Sequence, residues 1–364
     1  MMRALAAVLV LSAFAEAQTT HVVGPGGFAD IPQALAVATH GDVLLVHPGT
    51  YSAFVTTLGV TIRALVPGTV TLAVGWGSGF NLQPGRQAHV VGVSGNLMFV
   101  FGGSLSLDQC SFLGSPNGSA VVEVLGGNLH MQSCTLRGQP VFGVAPGAPF
   151  RATQAVVTGV DCTIEGSDAS GWFGIPGAAV QLHDSELRLA SSTVRGGAGP
   201  LQPPAVAISA DATSSVWLAD CTLSSPAAPC PVVAANGRLA RCISTPNCGS
   251  LPNGDGLGIH RPAPLQNGAP FTLEFRDAPN RALAVWVAFD LQRTTTPVFE
   301  QSVLLAPASA FPLAVLVTDA MGVAAATWPI PAGSAFVDRA LWFQAVGGLG
   351  LPLQVSAVAG GVVR

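Results

Sequence analysis

The chain is predicted to be all-β: a stacked β-solenoid followed by a small antiparallel β-sandwich. Three observations predict it. First, Leu218-Ala219-Asp220-Cys221-Thr222-Leu223 returns as Leu107-Asp108-Gln109-Cys110-Ser111-Phe112 and Met131-Gln132-Ser133-Cys134-Thr135-Leu136, with weaker copies around Cys162, Ser192 and Cys242. The Cys or Ser positions step by 24, 28, 30, 29 and 21 residues, a period that marks stacked supersecondary units. Second, 43 Gly and 28 Pro break 364 residues into short apolar runs, which suits many short strands and excludes long helices. Third, the period ends near residue 245, and seven alternating runs follow from Phe271 at hairpin spacing, the pattern of a sandwich.

Taken in order, the chain opens on a segment with the marks of a secretory signal. Arg3 supplies a positive start, Ala4 to Phe14 an apolar stretch, and Ala15-Glu16-Ala17 a small-x-small cleavage site. Residues 1–17 are therefore expected to be removed and the protein to be secreted, periplasmic or held at the cell surface. No later run is long and apolar enough for a transmembrane segment. A short helix is expected from Asp30 to Thr39, with Asp30 as N-cap and Ile31, Ala34, Leu35 and Ala38 on one apolar face. The strand Val43–Val46 and the turn Pro48-Gly49-Thr50-Tyr51 follow.

This opening resembles the entry of the right-handed parallel β-helix of secreted pectate-lyase-like proteins. Val23-Gly24-Pro25-Gly26-Gly27, Ile31-Pro32-Gln33-Ala34-Leu35, Gly41-Asp42-Val43-Leu44-Leu45-Val46 and Pro48-Gly49-Thr50-Tyr51 carry the resemblance, which covers residues 20–250. It implies that the helix caps the open end of the solenoid, where a bare core and sheet edge need cover. It also implies a right-handed parallel β-helix over 18–248, a linker over 249–269 and the sandwich over 270–364. The sandwich is similar to a C-terminal module of exported bacterial proteins, with Trp328-Pro329-Ile330-Pro331 and Leu341-Trp342-Phe343-Gln344-Ala345 as its marks.

Between residues 60 and 245 the rungs align. Val122, Val124, Leu129 and Met131 alternate inward, as do Val180, Leu182, Leu187 and Leu189. The loops after each Cys-Thr-Leu strand vary most in length and gather on one flank, a usual place for function.

Function is less legible. A net charge of −4, with 15 Arg and no Lys, gives no basic footprint, so nucleic acid is a poor partner. Alignment places Ser106, His130, Thr158, Arg188, Trp217 and Arg238 on one outward strip. Solvent-facing, that strip offers an imidazole, a guanidinium and an indole to a polysaccharide: Trp217 to stack, Arg188 to pair with a uronate, His130 to move a proton. An ordinary solvated sheet face is the bland alternative. On the loop flank, Glu165 and Asp168 are candidates for paired catalytic carboxylates, and Arg137 and Trp172 for binding; a solvated loop is the alternative there. The polygalacturonase strings Asp-Asp and Gly-His-Gly are absent. The leading expectation is a non-catalytic protein that binds polysaccharide or contributes to a cell-surface assembly. The alternative is a polysaccharide lyase or glycoside hydrolase acting on uronate-containing polymers. No cofactor is expected, with calcium only in the lyase case; no metal motif stands out and the oligomeric state is open. Cys110, Cys134, Cys162, Cys221 and Cys242 read as a buried thiol ladder, with disulfides inside it as the alternative, and Cys230 and Cys248 as a candidate disulfide in loop sequence.

Overall fold

The computed structural model describes residues 18–364 apart from 74–76, 115–119, 140–146, 170–174, 200–203, 226–231, 234–235, 243–256, 262, 295, 297, 300–302, 334–335 and 349–351, with backbone alone for 232–233, 236–242 and Arg293. From Thr20 to Cys242 the chain winds as a parallel β-helix whose rungs feed three sheets. Sheet A contains Gln87–Val91, Ser104–Asp108, Asn128–Gln132, Val156–Val160, Glu186–Ala190 and the first half of Ser215–Ser224. Sheet B contains Ser111–Leu113, Thr135–Arg137, Thr163–Glu165 and Thr193–Arg195. Sheet C contains Ser78–Asn81, Met98–Phe101, Val122–Leu125, Phe150–Thr153 and Val180–His183.

The recurring motif is the corner between sheets A and B. Its third residue is left-handed in five successive rungs: Gln109, Ser133, Asp161, Ser191 and Asp220 have φ between 48° and 55°. That conformation disfavours a Cβ, but stacking offsets the cost. Gln109, Ser133, Asp161 and Ser191 each donate their backbone N–H to the next rung, at 2.9 to 3.1 Å. One left-handed residue bends the chain sharply and aims the next side chain inward, so Cys110, Cys134, Cys162, Ser192 and Cys221 are buried. Cys110, Cys134 and Cys162 of this column are free thiols, as the ladder reading expected. The corner between sheets C and A uses Gly102-Gly103 and Gly126-Gly127 in two rungs, all with positive φ. At Gly127 a Cβ would lie 2.5 Å from the carbonyl oxygen of Gly103, so close stacking requires glycine there.

The inward residues form one continuous core running from Val23 and Ile31 to Leu223. Each fully buried Val, Leu, Ile or Phe contributes about 1.5–3 kcal/mol against exposure. The helix that closes the entry end is Ile31–Leu35, with Ile31, Ala34 and Leu35 buried. Asp30 caps it by accepting from Ile31 N at 2.8 Å and also ties Ser52 N at 3.0 Å. The helix is shorter than its apolar period because Asp42 draws the following chain away, accepting from Thr39 N, Thr39 Oγ1 and Thr19 N. Burial works against that carboxylate, yet the hydrogen bonds from Thr39, His21 and Thr19 hold it below its ordinary value.

Beyond the solenoid the chain forms small antiparallel sheets. Gly258–His260, Pro270–Arg276 and Val323–Pro329 make one; Phe311–Val317, Ala282–Ala288 and Ala340–Gly347, with Gln354–Val355 and Ala359–Val362 on the last, make a second. Leu291–Thr294 and Val303–Leu305 pair separately. Part of the expected linker belongs to this unit: Leu257, Ile259 and Leu265 are buried in its core, and Gly258–His260 is one of its strands. No helix among the described residues is long and apolar enough to cross a membrane.

Candidate functional site

The outward strip of sheet A is real as a column. Register aligns His89, Ser106, His130, Thr158, Arg188 and Trp217 on successive rungs. Its exposure to solvent, the premise for a sugar or catalytic site there, is contradicted. The C-terminal unit lies against sheet A and leaves His130 1% and Arg188 2% exposed. Trp342, fully buried, meets His130 edge-on at 4.7 Å between ring centroids and stacks on His89 at 5.9 Å. Arg188 pairs with Glu186 at 2.6 Å and donates to the carbonyl of Ser356 at 3.5 Å. Trp217 is half-buried, its indole nitrogen enclosed without a hydrogen-bond partner. The side chain of Arg238 lies outside the described residues. His130 and Arg188 thus lie beneath the C-terminal unit instead of facing solvent.

The physical reason lies in the neighbouring outward columns. Val160, Ala190 and Ala219 join the core of the C-terminal unit, and Val156 packs with Trp342 and Val358. An outward row of Val and Ala on a sheet needs a cover, and a second apolar unit is the available one. Polar contacts lock the docking. Arg261 meets Asp108 at 3.4 Å with both side chains 1% exposed, and Arg364 reaches Asp108 and Gln109. His260 Nδ1 meets Asp161 at 2.6 Å, Arg63 meets Asp338 at 2.9 Å, and Arg276 meets Asp220 at 3.7 Å. Burial pushes Asp108 above the usual carboxylate range against the pull of Arg261 and Arg364. Burial also lowers His89 to about 4 and His130 to about 3, the latter helped by Arg261 and His89. The hydrogen bond to Asp161 raises His260.

The loop-flank candidates are placed differently from one another. Arg137 is exposed and pairs with Glu165 of the next rung at 2.7 Å. Asp168 pairs with Arg195 at 3.1 Å and accepts from Ala198 N at 2.8 Å. Each carboxylate is therefore engaged by an arginine instead of facing the other across a cleft. Among the described residues no three His, Cys, Asp or Glu converge as metal ligands. Trp172 and the proposed Cys230–Cys248 disulfide lie outside the described residues.

An open surface remains on sheet C. Its strands point Met98, Val100, Val122 and Val124 into the core, so the alternate residues point out. One outward column runs Phe99, Glu123, Arg151, Gln181 and Ser209; the next runs Asn81, Phe101, Leu125, Thr153 and His183. Phe101 is 40% and Leu125 37% exposed, and the Phe99 and Phe101 rings stack at 6.2 Å with 24° between planes. Glu123 and Arg151 form a partly exposed pair at 3.4 Å. At the far end His183 meets Asp211. Asp211 is held far below the usual carboxylate range by the Ser214 hydroxyl, with Thr213, Asp184 N and His183 adding to the effect. Rungs repeat at about 4.8 Å, so Phe99 to Gln181, three rungs, spans about 14 Å. Outward aromatics between inward Met98 and Val100 were readable from strand alternation; aligning only the strands before each Cys passed over them.

No family model matches the chain and no curated protein matches it. Among solved structures it is similar to a mutant of the PL6-family alginate lyase AlyGC, with TM-score 0.36 and 9% identity over 65% of this chain and 39% of that one. It is also similar to the enzymatically active domain of bacteriophage CBA120 tailspike protein 4, with TM-score 0.33 and 12% identity over 88% of this chain and 64% of that one. The chain spans less than two thirds of either protein.

Proposed function

We propose that this chain is an exported, non-catalytic β-helix protein that binds a neutral polysaccharide along the outer face of sheet C. The observation that carries the reading is the platform of exposed Phe101 and Leu125 with half-buried Phe99, continuous with Glu123, Arg151, Gln181 and His183. Aromatic rings match the apolar face of a sugar ring, while amide, carboxylate and guanidinium groups exchange hydrogen bonds with its hydroxyls. A face that repeats every rung suits a ligand that repeats along its chain. The charges favour a neutral polymer. Glu123 compensates Arg151, and the carboxylates of Asp184 and Asp211 beside His183 add negative potential that repels a polyuronate.

Affinity electrophoresis tests this, with gels containing neutral glucans, mannans or xylans against gels containing alginate or polygalacturonate. Wild-type protein is expected to be retarded in at least one neutral gel, and the double variant Phe99→Ala, Phe101→Ala to migrate as in plain gel. Arg151→Ala should weaken retention by about tenfold, a loss of about 1.4 kcal/mol. Retention only by the uronates would overturn the ligand class. No retention at all, or retention indifferent to the Phe pair, would overturn the site.

A further inference from the structure

We propose that the thiol column inside the solenoid is a site for a linear, two-coordinate thiophilic cation of the mercury(II) type, held between Cys134 and the thiol of an adjacent rung. Cys110, Cys134 and Cys162 occupy consecutive rungs. Their sulfurs repeat by translation. Cys110 Sγ lies 3.4 Å from Val90 O, Cys134 Sγ 3.3 Å from Leu107 O and Cys162 Sγ 3.6 Å from Met131 O, and those three carbonyls are themselves in register. Adjacent sulfurs are therefore about one rung, about 4.8 Å, apart. Two metal–thiolate bonds of about 2.3 Å laid end to end span about 4.6 Å. The Cβ–S bonds lie across the solenoid axis and the sulfurs stack along it, so each sulfur meets the ion near a right angle without backbone movement.

A disulfide fits the same column poorly. It needs Cβ atoms about 3.5–4.5 Å apart and a torsion near a right angle, while these side chains are parallel and a rung apart. Gly159 keeps a side chain away from Cys162 and leaves that place to Leu189: a Cβ there would lie 2.7 Å from Leu189 Cδ2, 3.5 Å from Cys162 Sγ and 3.7 Å from Met131 Cε, so the ion must fit between the stacked sulfurs themselves. Burial and the flanking Cys110 and Cys162 raise the Cys134 thiol well above its ordinary value, so a hard ion finds no thiolate. A soft divalent ion displaces the protons itself. Two S–H bonds break, two S–metal bonds form, two protons and two chlorides of mercury(II) chloride leave to solvent, and the adduct left in the apolar core is neutral.

Ser192 provides the control. It holds the same column position and donates to Ala190 O at 2.7 Å, as Cys134 does to Gln132 O at 3.4 Å, so the fold accepts a hydroxyl there. Full-length protein is loaded with mercury(II) chloride, challenged with increasing 2-mercaptoethanol and gel-filtered, and the retained mercury is measured with the ultraviolet S–Hg absorbance. Wild type is expected to retain one ion more than Cys134→Ser, which leaves Cys110 and Cys162 two rungs apart, and to hold it against about 10²–10⁴-fold more monothiol. Ser192→Cys, which joins Cys162 to Cys221, should retain one more ion than wild type. Circular dichroism checks that each variant is folded. Equal retention by wild type and Cys134→Ser, no gain in Ser192→Cys, or uptake only after unfolding in urea would overturn the site.

Discussion

Acid should loosen the seat of the C-terminal unit on sheet A. In the folded protein His89 is lowered to about 4 and His130 to about 3, chiefly by burial; unfolded, both titrate near 6.5. Above that value both are neutral in both states and contribute no pH dependence. Below it the unfolded chain takes up protons that the folded protein refuses, and each histidine lowers stability by about 1.4 kcal/mol per pH unit. Two histidines over about two units, from 6.5 to about 4.5, amount to a loss on the order of 5 kcal/mol, comparable with the whole stability of many domains. Asp108, Asp290 and Asp338 are raised, chiefly by burial, and oppose this by taking up protons first in the folded state. The measurement is therefore a comparison between wild type and the double variant His89→Asn, His130→Asn. Urea midpoints followed by tryptophan fluorescence should fall steeply for wild type as pH drops from about 7.5 to about 4.5, and much less for the variant. Parallel profiles would refute the assignment of buried, neutral histidines under Trp342.

Arg261→Leu leaves the buried Asp108 carboxylate with Arg364 alone, and breaking such a pair costs about 3–5 kcal/mol; a change below about 1 kcal/mol in urea unfolding would show the pair to be solvated. The two corner glycines should separate. Gly126→Ala meets open space and has only its left-handed φ of 73° to overcome, about 1–2 kcal/mol, whereas Gly127→Ala also drives a Cβ to 2.5 Å from Gly103 O and should cost clearly more. Equal thermal shifts for the two would contradict the close stacking of that corner. Phe101→Ala should leave the melting temperature nearly unchanged while weakening glycan retention, because Phe101 is 40% exposed.

Much of the solenoid was readable because its determinants are local. Val122, Val124, Leu129 and Met131 alternate inward with the period of a strand, and each copy of the motif marks one corner. Cys134 and its relatives were legible as core for the same reason. The strip containing His130, Arg188 and Trp217 was legible as a column but not in its exposure. Alternation tells which side of a strand faces the solenoid interior; it does not tell whether the outer side meets water or another unit. The signal lay two residues away on each strand, in the outward Val156, Val160, Ala190 and Ala219. The pairing of Glu165 with Arg137, and of Asp168 with Arg195, depends on rung register and loop path together, which spacing along the chain does not specify.

The class of the fold, the entry cap opening at Asp30, the corner residues and the burial of the thiol column are written in single stretches of sequence, since each follows from short-range sterics and strand period. Which outer faces stay open depends instead on how the two units pack. Residues more than a hundred positions apart, such as Arg261 with Asp108 and Trp342 with His130, meet because two separately patterned units each carry an apolar face that water disfavours. Their docking removes His130 and Arg188 of sheet A from solvent and leaves the outer face of sheet C, with Phe101 and Arg151, open.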